Sequence, residues 1–303
     1  MIKNRILNNP TSITISEMLV RDILNETARN LAIAGIPSPR LDAEVLLAFC
    51  LDRERLDFIK NPDEQVSEQM QASFQNLVTR RLAWEPVAYL TGHKEFWSFV
   101  LEVNSSVLIP RPDTEVLVEE ALKIYNQQSW SRISILDIGT GSGAIALALA
   151  SEIPHALLTA TDISATALAT ARRNAIKLNL DHRINFQIGN LFEPIHDLFD
   201  MIVSNPPYIA EEDYDKLPAG VKDYEPAEAL QAGPGGLFFY QKIIMQALDY
   251  LKEDGWLLLE IGAAQGDQVH NILETSGQYC DIGITNDYAG LQRVIKARRK
   301  KSG

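Results

Sequence analysis

Apolar residues follow one spacing up to about residue 85 and another after it. In the first stretch they recur at intervals of three and four, the helical period. Leu19, Ile23, Leu24, Thr27 and Leu31 predict a helix that opens at a Thr14–Glu17 capping box and stops at Gly35 and Pro37. A second helix is predicted after Ser38-Pro39, with Leu41, Val45, Leu46 and Phe49 on one side. A third carries Met70, Phe74, Leu77 and Arg81 and breaks at Glu85-Pro86. These stripes predict the core of a small helical bundle, and no residue in it suggests chemistry.

Over 86–110 the apolar positions become β-branched, aromatic or aliphatic. Val87, Tyr89, Phe96, Trp97, Phe99, Leu101, Val103, Val107 and Ile109 surround a turn at Thr91-Gly92-His93. A β-hairpin linking two domains is expected, with His93 and Glu95 at turn and edge positions. Arg111-Pro112-Asp113-Thr114-Glu115 then opens a helix through Tyr125, its acids complementing the helix dipole.

Beyond Ser131, short apolar runs at 133–138, 157–161, 184–188, 201–204, 256–261, 282–285 and 292–297 read as strands. Helical stretches at 142–150, 165–178, 237–251 and 265–273 alternate with them. That alternation predicts an α/β fold built on a doubly wound, mostly parallel seven-stranded sheet. No helix separates the last two strands, so they should pair antiparallel. The expected division is a helical domain over 1–85, a hairpin linker over 86–110 and an α/β domain over 111–303.

Composition narrows the function. The hydrophobic share of 46% and charged share of 22% are those of a soluble globular protein. No apolar run approaches the ~20 residues of a membrane span. The charged start Met1–Arg5 has no apolar segment behind it, so no signal peptide is read there and the cytoplasm is the expected compartment. Cys50 and Cys280 have apolar neighbours, as buried thiols in a reducing compartment do, and the five histidines lack metal-ligand spacing, so no metal is expected. A net charge of −12 argues against stable nucleic-acid binding, which needs a basic face. Arg298-Arg299-Lys300-Lys301 reads as a short solvated basic tail.

Candidate chemistry begins where the first strand meets its helix. Asp137-Ile138-Gly139-Thr140-Gly141-Ser142-Gly143 is a glycine loop at a helix N-terminus, an electrostatic cradle that backbone can line closely. Gly139-x-Gly141-x-x-Ala144 also fits the dinucleotide fingerprint, and Asp162 ends the second strand about twenty residues on, where a carboxylate takes ribose hydroxyls. Together these indicate an adenosine-containing cofactor, either NAD or S-adenosylmethionine. The Gly-x-Gly-x-Gly form with Asp137 two residues upstream suits S-adenosylmethionine, which has no pyrophosphate and a cationic methionine end. Asn190, Leu191 and Phe192 then offer a polar group and an apolar platform for adenine, although plain core accounts for Leu191 and Phe192 as well.

The second constellation is Asn205-Pro206-Pro207-Tyr208 at the carboxyl end of the fourth strand. A strand-terminating turn would use the same residues. The alternative is an active site, since ligands of open α/β sheets bind at this edge. A planar nitrogen nucleophile needs acceptors for its N–H groups, and the Asn205 side-chain oxygen and Pro206 carbonyl would supply two on a backbone stiffened by proline. The Tyr208 ring would pack on the flat face of the substrate. Glu211, Glu212, Asp213, Asp215, Asp223, Glu225 and Glu228 follow, an acidic rim suited to a basic protein partner or else a solvated loop.

These motifs resemble the amino-nitrogen S-adenosylmethionine methyltransferases. Over nearly its whole length the chain resembles the release factor glutamine methyltransferases. The matching pieces are Glu85–Gly92, Phe96-Trp97, Leu108–Glu115, Tyr224-Glu225-Pro226 with Ala229-Leu230, Gly235-Gly236-Leu237, Glu260-Ile261-Gly262, and Asp287 with Gly290 and Arg293. The resemblance implies a Rossmann-like methyltransferase sheet. It also implies S-adenosyl-L-methionine held by Gly139, Thr140, Gly141, Ser142, Gly143, Asp162, Leu191 and Asn205. Asn205, Pro206, Pro207 and Tyr208 would then carry catalysis, by methyl transfer to the side-chain N5 of the glutamine in the Gly-Gly-Gln motif of peptide chain release factors. The helical domain would help dock that protein partner. Asn190 stands where family members often have an acid. Asn-Pro-Pro-Tyr is shared with adenine-N6 DNA and RNA methyltransferases, which leaves an adenine substrate as the alternative.

Overall fold

Residues 18–128 and 130–301 are described by a computed structural model. The Thr14–Glu17 capping box and the Met1–Arg5 start lie outside them. The chain divides into two units, one ending at Thr91 and the other starting at Gly92.

In the first unit, β1 (Met18–Leu19) and β2 (Gln65–Val66) pair antiparallel beside α1 (Val20–Ile33), α2 (Pro39–Leu51), α3 (Arg55–Lys60), α4 (Glu68–Leu82) and α5 (Val87–Thr91). α1 buries Ile23, Leu24, Thr27 and Leu31 as its spacing predicts, and Val20 besides, while Leu19, expected on the same stripe, lies in β1; Gly35 follows the helix end in the left-handed region (φ 79°). α2 differs from expectation. It buries Asp42, Ala43, Leu46 and Leu47, while Leu41 and Phe49 are exposed. The helix is apolar nearly all round, so periodicity could not choose its inward face. The choice goes with a buried ion pair between Asp42 and Arg81 of α4, Oδ2 to Nε at 2.8 Å. α4 buries Phe74, Leu77 and Arg81 as predicted and Val78 besides, with Met70 left exposed.

The second unit opens with a hairpin, β3 (His93–Phe96) and β4 (Phe99–Glu102). This corrects the expected linker over 86–110: residues 87–91 are helical, and Phe96 and Leu101 are buried in the core of the second unit. His93 and Glu95 are exposed strand residues. Asn174 ties the hairpin down by accepting from Glu102 N (2.7 Å) and donating to Glu102 O (3.0 Å) and Ser142 O (2.9 Å).

The main sheet comprises β5 (Ile133–Ile138), β6 (Ala156–Asp162), β7 (Ile184–Ile188), β8 (Phe199–Ser204), β9 (Leu251–Glu260), β10 (Tyr279–Asn286) and β11 (Gln292–Arg299), in the order β10-β11-β9-β8-β5-β6-β7. β11 is antiparallel to both its neighbours and the other pairings are parallel. This is the seven-stranded, mostly parallel sheet that the alternation predicts. Arg298 and Arg299 belong to β11, and Arg298 is paired with Asp254 and Asp281, so the expected basic tail is largely strand.

Strand residues alternate between two cores. Ile133, Ile135, Met201, Val203 and Leu258 pack with α6 (Glu115–Gln127) and α7 (Ala144–Glu152) on one face. Leu136, Ile138, Ile202, Leu257 and Leu259 pack on the other face with the two helices that follow β8 and β9. Between β8 and β9 lie the short α9 (Glu211–Tyr214) and α10 (Ala219–Lys222) and then α11 (Phe238–Tyr250). α12 (Gly266–Ser276) follows β9, and α8 (Ala165–Lys177) connects β6 to β7. Because β5 has β6 on one side and β8 on the other, strand order reverses at β5, which opens a crevice at the carboxyl ends of β5 and β8.

Candidate active site

A cavity of about 420 Å³ occupies that crevice. Its walls include Gly139, Thr140, Gly141 and Ser142 after β5, Asp162 after β6, Asn190 and Leu191 after β7, and Asn205, Pro206 and Pro207 after β8. Ser204 pairs with Ile138 in register, and its hydroxyl donates to Ile138 O at 2.7 Å. The glycine loop and the Asn-Pro-Pro segment are therefore held at adjacent strand ends.

The loop has the conformation its glycines predict. Gly139 and Gly141 have φ of 71° and 57°, and a Cβ built on either meets nothing within 4 Å, so their backbone opens onto free space. Asp162 anchors the loop, Oδ2 accepting from Gly141 N (2.8 Å) and Oδ1 from Ser164 N (2.9 Å). Burial raises its pKa, against the backbone N–H groups that favour the ionised form. Each carboxylate oxygen keeps lone pairs for a sugar hydroxyl.

Four candidates lie elsewhere. Asp137 is fully buried beneath the loop and is not a cavity wall. Its Oδ2 accepts from the Thr140 hydroxyl at 2.6 Å, and burial pushes its pKa up to about 7. It braces the loop from below. Gly143 also lies off the cavity; a Cβ there would stand 3.2 Å from both Ala171 Cβ and Leu147 Cδ1, so this glycine permits close packing of α7 on α8. Tyr208 packs against the α11–α12 core rather than the cavity, and burial pushes its phenol up to about 12. Phe192 likewise belongs to the core, stacked on Tyr250 at 4.7 Å.

Asn205 donates from Nδ2 to Thr114 Oγ1 at 3.3 Å, which leaves its Oδ1 as the acceptor at the cavity wall. Thr114 was not legible as a site residue, because its segment reads as an ordinary helix start. Gln265 was also missed. Its Nε2 donates to Tyr208 O (3.0 Å) and its Oε1 accepts from Gly262 N (3.0 Å), which clamps the chain just after the prolines. Gly236 lets the segment approach: a Cβ there would lie 2.5 Å from Tyr208 O, at φ 71°. Gly236→Ala should therefore shift the Asn-Pro-Pro backbone and reduce turnover on the order of 10²-fold, as small misplacements of reacting groups do. Steady-state kinetics within threefold of wild type would contradict this.

The acidic rim is smaller than expected. Glu225 is buried, accepting from Ile109 N (3.1 Å) and Arg111 Nη2 (2.5 Å), so it fastens the cavity-lining 108–111 segment. Asp213 and Asp215 pair with Lys216 and Lys222. Glu228 remains exposed on the cavity wall, which also carries Lys242, whose Nζ lies over the Phe238 ring at 4.4 Å. Among the described residues no His, Cys, Asp and Glu cluster could hold a metal ion, and no helix is long and apolar enough to cross a membrane.

Glycine loop, sugar-competent carboxylate and apolar walls fit an adenosine-bearing methyl donor, and comparison with known proteins agrees. Residues 22–92 match the PrmC N-terminal domain and 113–219 the methyltransferase small domain. The release factor glutamine methyltransferase of Aliivibrio fischeri is 42% identical over 91% of this chain and 95% of its own length. That of Koribacter versatilis is 38% identical over 94% of this chain and all of its own. The hMettl16 catalytic domain, solved with the MAT2A 3'UTR hairpin 6, shares the fold (TM-score 0.55, 19% identity, 67% of this chain and 76% of that one). At 38–42% identity across nearly full length, with both constellations at the switch point, this chain belongs to the release factor glutamine methyltransferase family.

Proposed function

We propose that this chain methylates the side-chain N5 of the glutamine in the Gly-Gly-Gln motif of peptide chain release factors, in the cytoplasm, with S-adenosylmethionine as donor. The observation that carries it is the Asn205–Thr114 hydrogen bond, which fixes which end of the Asn205 amide meets the cavity.

Bound S-adenosylmethionine supplies an electrophilic sulfonium methyl. Gly139, Thr140, Gly141 and Ser142 would line its binding site, with Asp162 taking the ribose hydroxyls and Leu191 packing on the adenine. Asn205 Oδ1 and the Pro206 carbonyl would accept the two N–H groups of a glutamine amide and orient its nitrogen. The two prolines and the Gln265 clamp hold these acceptors in place beforehand, so acceleration comes mainly from orientation. The amide can lose its proton after transfer, and no general base is needed at the wall. Exposed acids near the cavity, Glu228 among them, disfavour a polyanion and suit a basic protein partner. The helical unit is proposed to help dock that partner.

Incubation with labelled S-adenosylmethionine and a release factor should place label on the motif glutamine. Label that persists after that glutamine is replaced, or that enters an oligonucleotide instead, would overturn the assignment. Asp162→Ala should weaken donor binding by roughly 10- to 100-fold, since it removes both the loop anchors and the sugar acceptor. Calorimetry showing unchanged affinity would rule out the ribose role.

A further inference from the structure

Behind Asn205 lies a charged group that no catalytic step so far uses. Glu260 ends β9 with 1% exposure, and one of its carboxylate oxygens, Oε2, has no hydrogen-bond partner among the described residues. Ser204 pairs in register with Leu259, which sets Glu260 next to Asn205 at adjacent strand ends; Thr114 is the neighbour that most favours the ionised carboxylate, and Thr114 Oγ1 accepts from Asn205 Nδ2. Thr114 is itself 4% exposed, so water cannot readily replace either partner.

We infer that Glu260 is a positioning residue that sets the polarity of the Asn205 amide through the Thr114 hydroxyl. The inference rests on the glutamine-methylating reading above and deepens it. An ionised carboxylate only accepts hydrogen bonds. It therefore takes the Thr114 O–H, which leaves the Thr114 oxygen to accept from Asn205 Nδ2. Asn205 Oδ1 is then the end offered to a substrate N–H. A protonated Glu260 can donate to Thr114 instead. The Thr114 hydroxyl is then free to donate to Asn205, which would turn Oδ1 away from the cavity and present an N–H where an acceptor is required.

The surroundings make this polarity titratable. Burial pushes Glu260 up to about 7, partly offset by Thr114, Arg293 and Arg111, with Asp113 acting in the same direction as burial. Tyr208 and Tyr240 also face it, and both phenols are raised well above neutrality and stay neutral. Arg293 is held against Asp287 (3.0 Å) and Asp113 (3.4 Å), so its charge stays fixed beside Glu260 while the carboxylate titrates. The sign follows: above pH 7 the relay is set for catalysis, and turnover falls as pH drops through that value.

The test compares kcat between pH 5.5 and 9 for the wild type, Glu260→Gln, Thr114→Val and Thr114→Ser. Wild type and Thr114→Ser should lose turnover about tenfold per unit below pH 7. Glu260→Gln and Thr114→Val should lose that acid limb and run on the order of tenfold slower at pH 8, with donor affinity by calorimetry unchanged. A retained limb in Glu260→Gln would assign it to another group, such as Asp137, and overturn the relay. A second readout needs no protein substrate: the side-chain amide resonance of Asn205, assigned by its loss in Asn205→Ala, should titrate near pH 7 in the wild type and stay flat in Glu260→Gln. A flat wild-type resonance sinks the relay. A titrating resonance in a protein that methylates no release factor keeps the relay and sinks the substrate assignment.

Discussion

Asn205→Ala should lower kcat by a factor on the order of 10²–10³, as deletion of one preorganised polar contact does in other active sites. The side chain contributes little to folding. It lies on a cavity wall, and its side-chain hydrogen bond to Thr114 is 3.3 Å long. The segment is held without it, by Ser204 on Ile138 and by Gln265 on the Tyr208 carbonyl. Melting temperature should therefore stay close to wild type while turnover collapses. A variant within a few-fold of wild type in kcat would show that Asn205 does not grip the substrate. Equal losses of kcat and stability would mean that the residue serves only to end the strand.

Arg81→Leu should have the largest effect on stability. Arg81 and Asp42 are a buried pair with side chains 10% and 8% exposed, and the remaining support of Asp42 is the Ser38 hydroxyl at 2.8 Å. Removing the guanidinium leaves a buried carboxylate without its countercharge, at a cost of about 3–5 kcal/mol. Arg81 also donates to Glu85 O, so the end of α4 loses a tether as well. Hydrogen-exchange protection of α2 and α4 amides should fall by roughly 10²–10³-fold if those helices open as a unit. Asp42→Leu combined with Arg81→Leu should recover most of the loss, because an apolar pair of similar volume replaces a buried ion pair at little net cost. A double variant no better than the single one would show that α2 is held by its apolar contacts alone.

Some placements were legible before the fold was known, and others were not, for identifiable reasons. Gly139 and Gly141 declared themselves because their positive φ excludes most side chains, and that demand is local. Gly143 looked the same in sequence, yet its role is helix packing, which depends on Ala171 in the next helix. Asp137 read as a cofactor contact from its place in the loop, while β5 turns it inward beneath Thr140. Tyr208 read as a stacking platform, and its ring went to the core. Glu225 counted as surface charge until Arg111 and the Ile109 amide proved to bury it.

The sequence by itself determined the α/β alternation, the seven strands with an antiparallel one near the end, and the glycine loop and Asn-Pro-Pro turn at strand ends. These follow from short-range physics: strand and helix periods, glycine and proline dihedrals, and capping. The inward face of α2, the polarity of the Asn205 amide and the clamps on its backbone were decided only by the tertiary structure. Their partners are Arg81 for Asp42, 39 positions away, Thr114 for Asn205, 91 away, and Gln265 for the Tyr208 carbonyl, 57 away. A periodic pattern shows that a polar side chain needs a partner, and folding brings the distant partner to it.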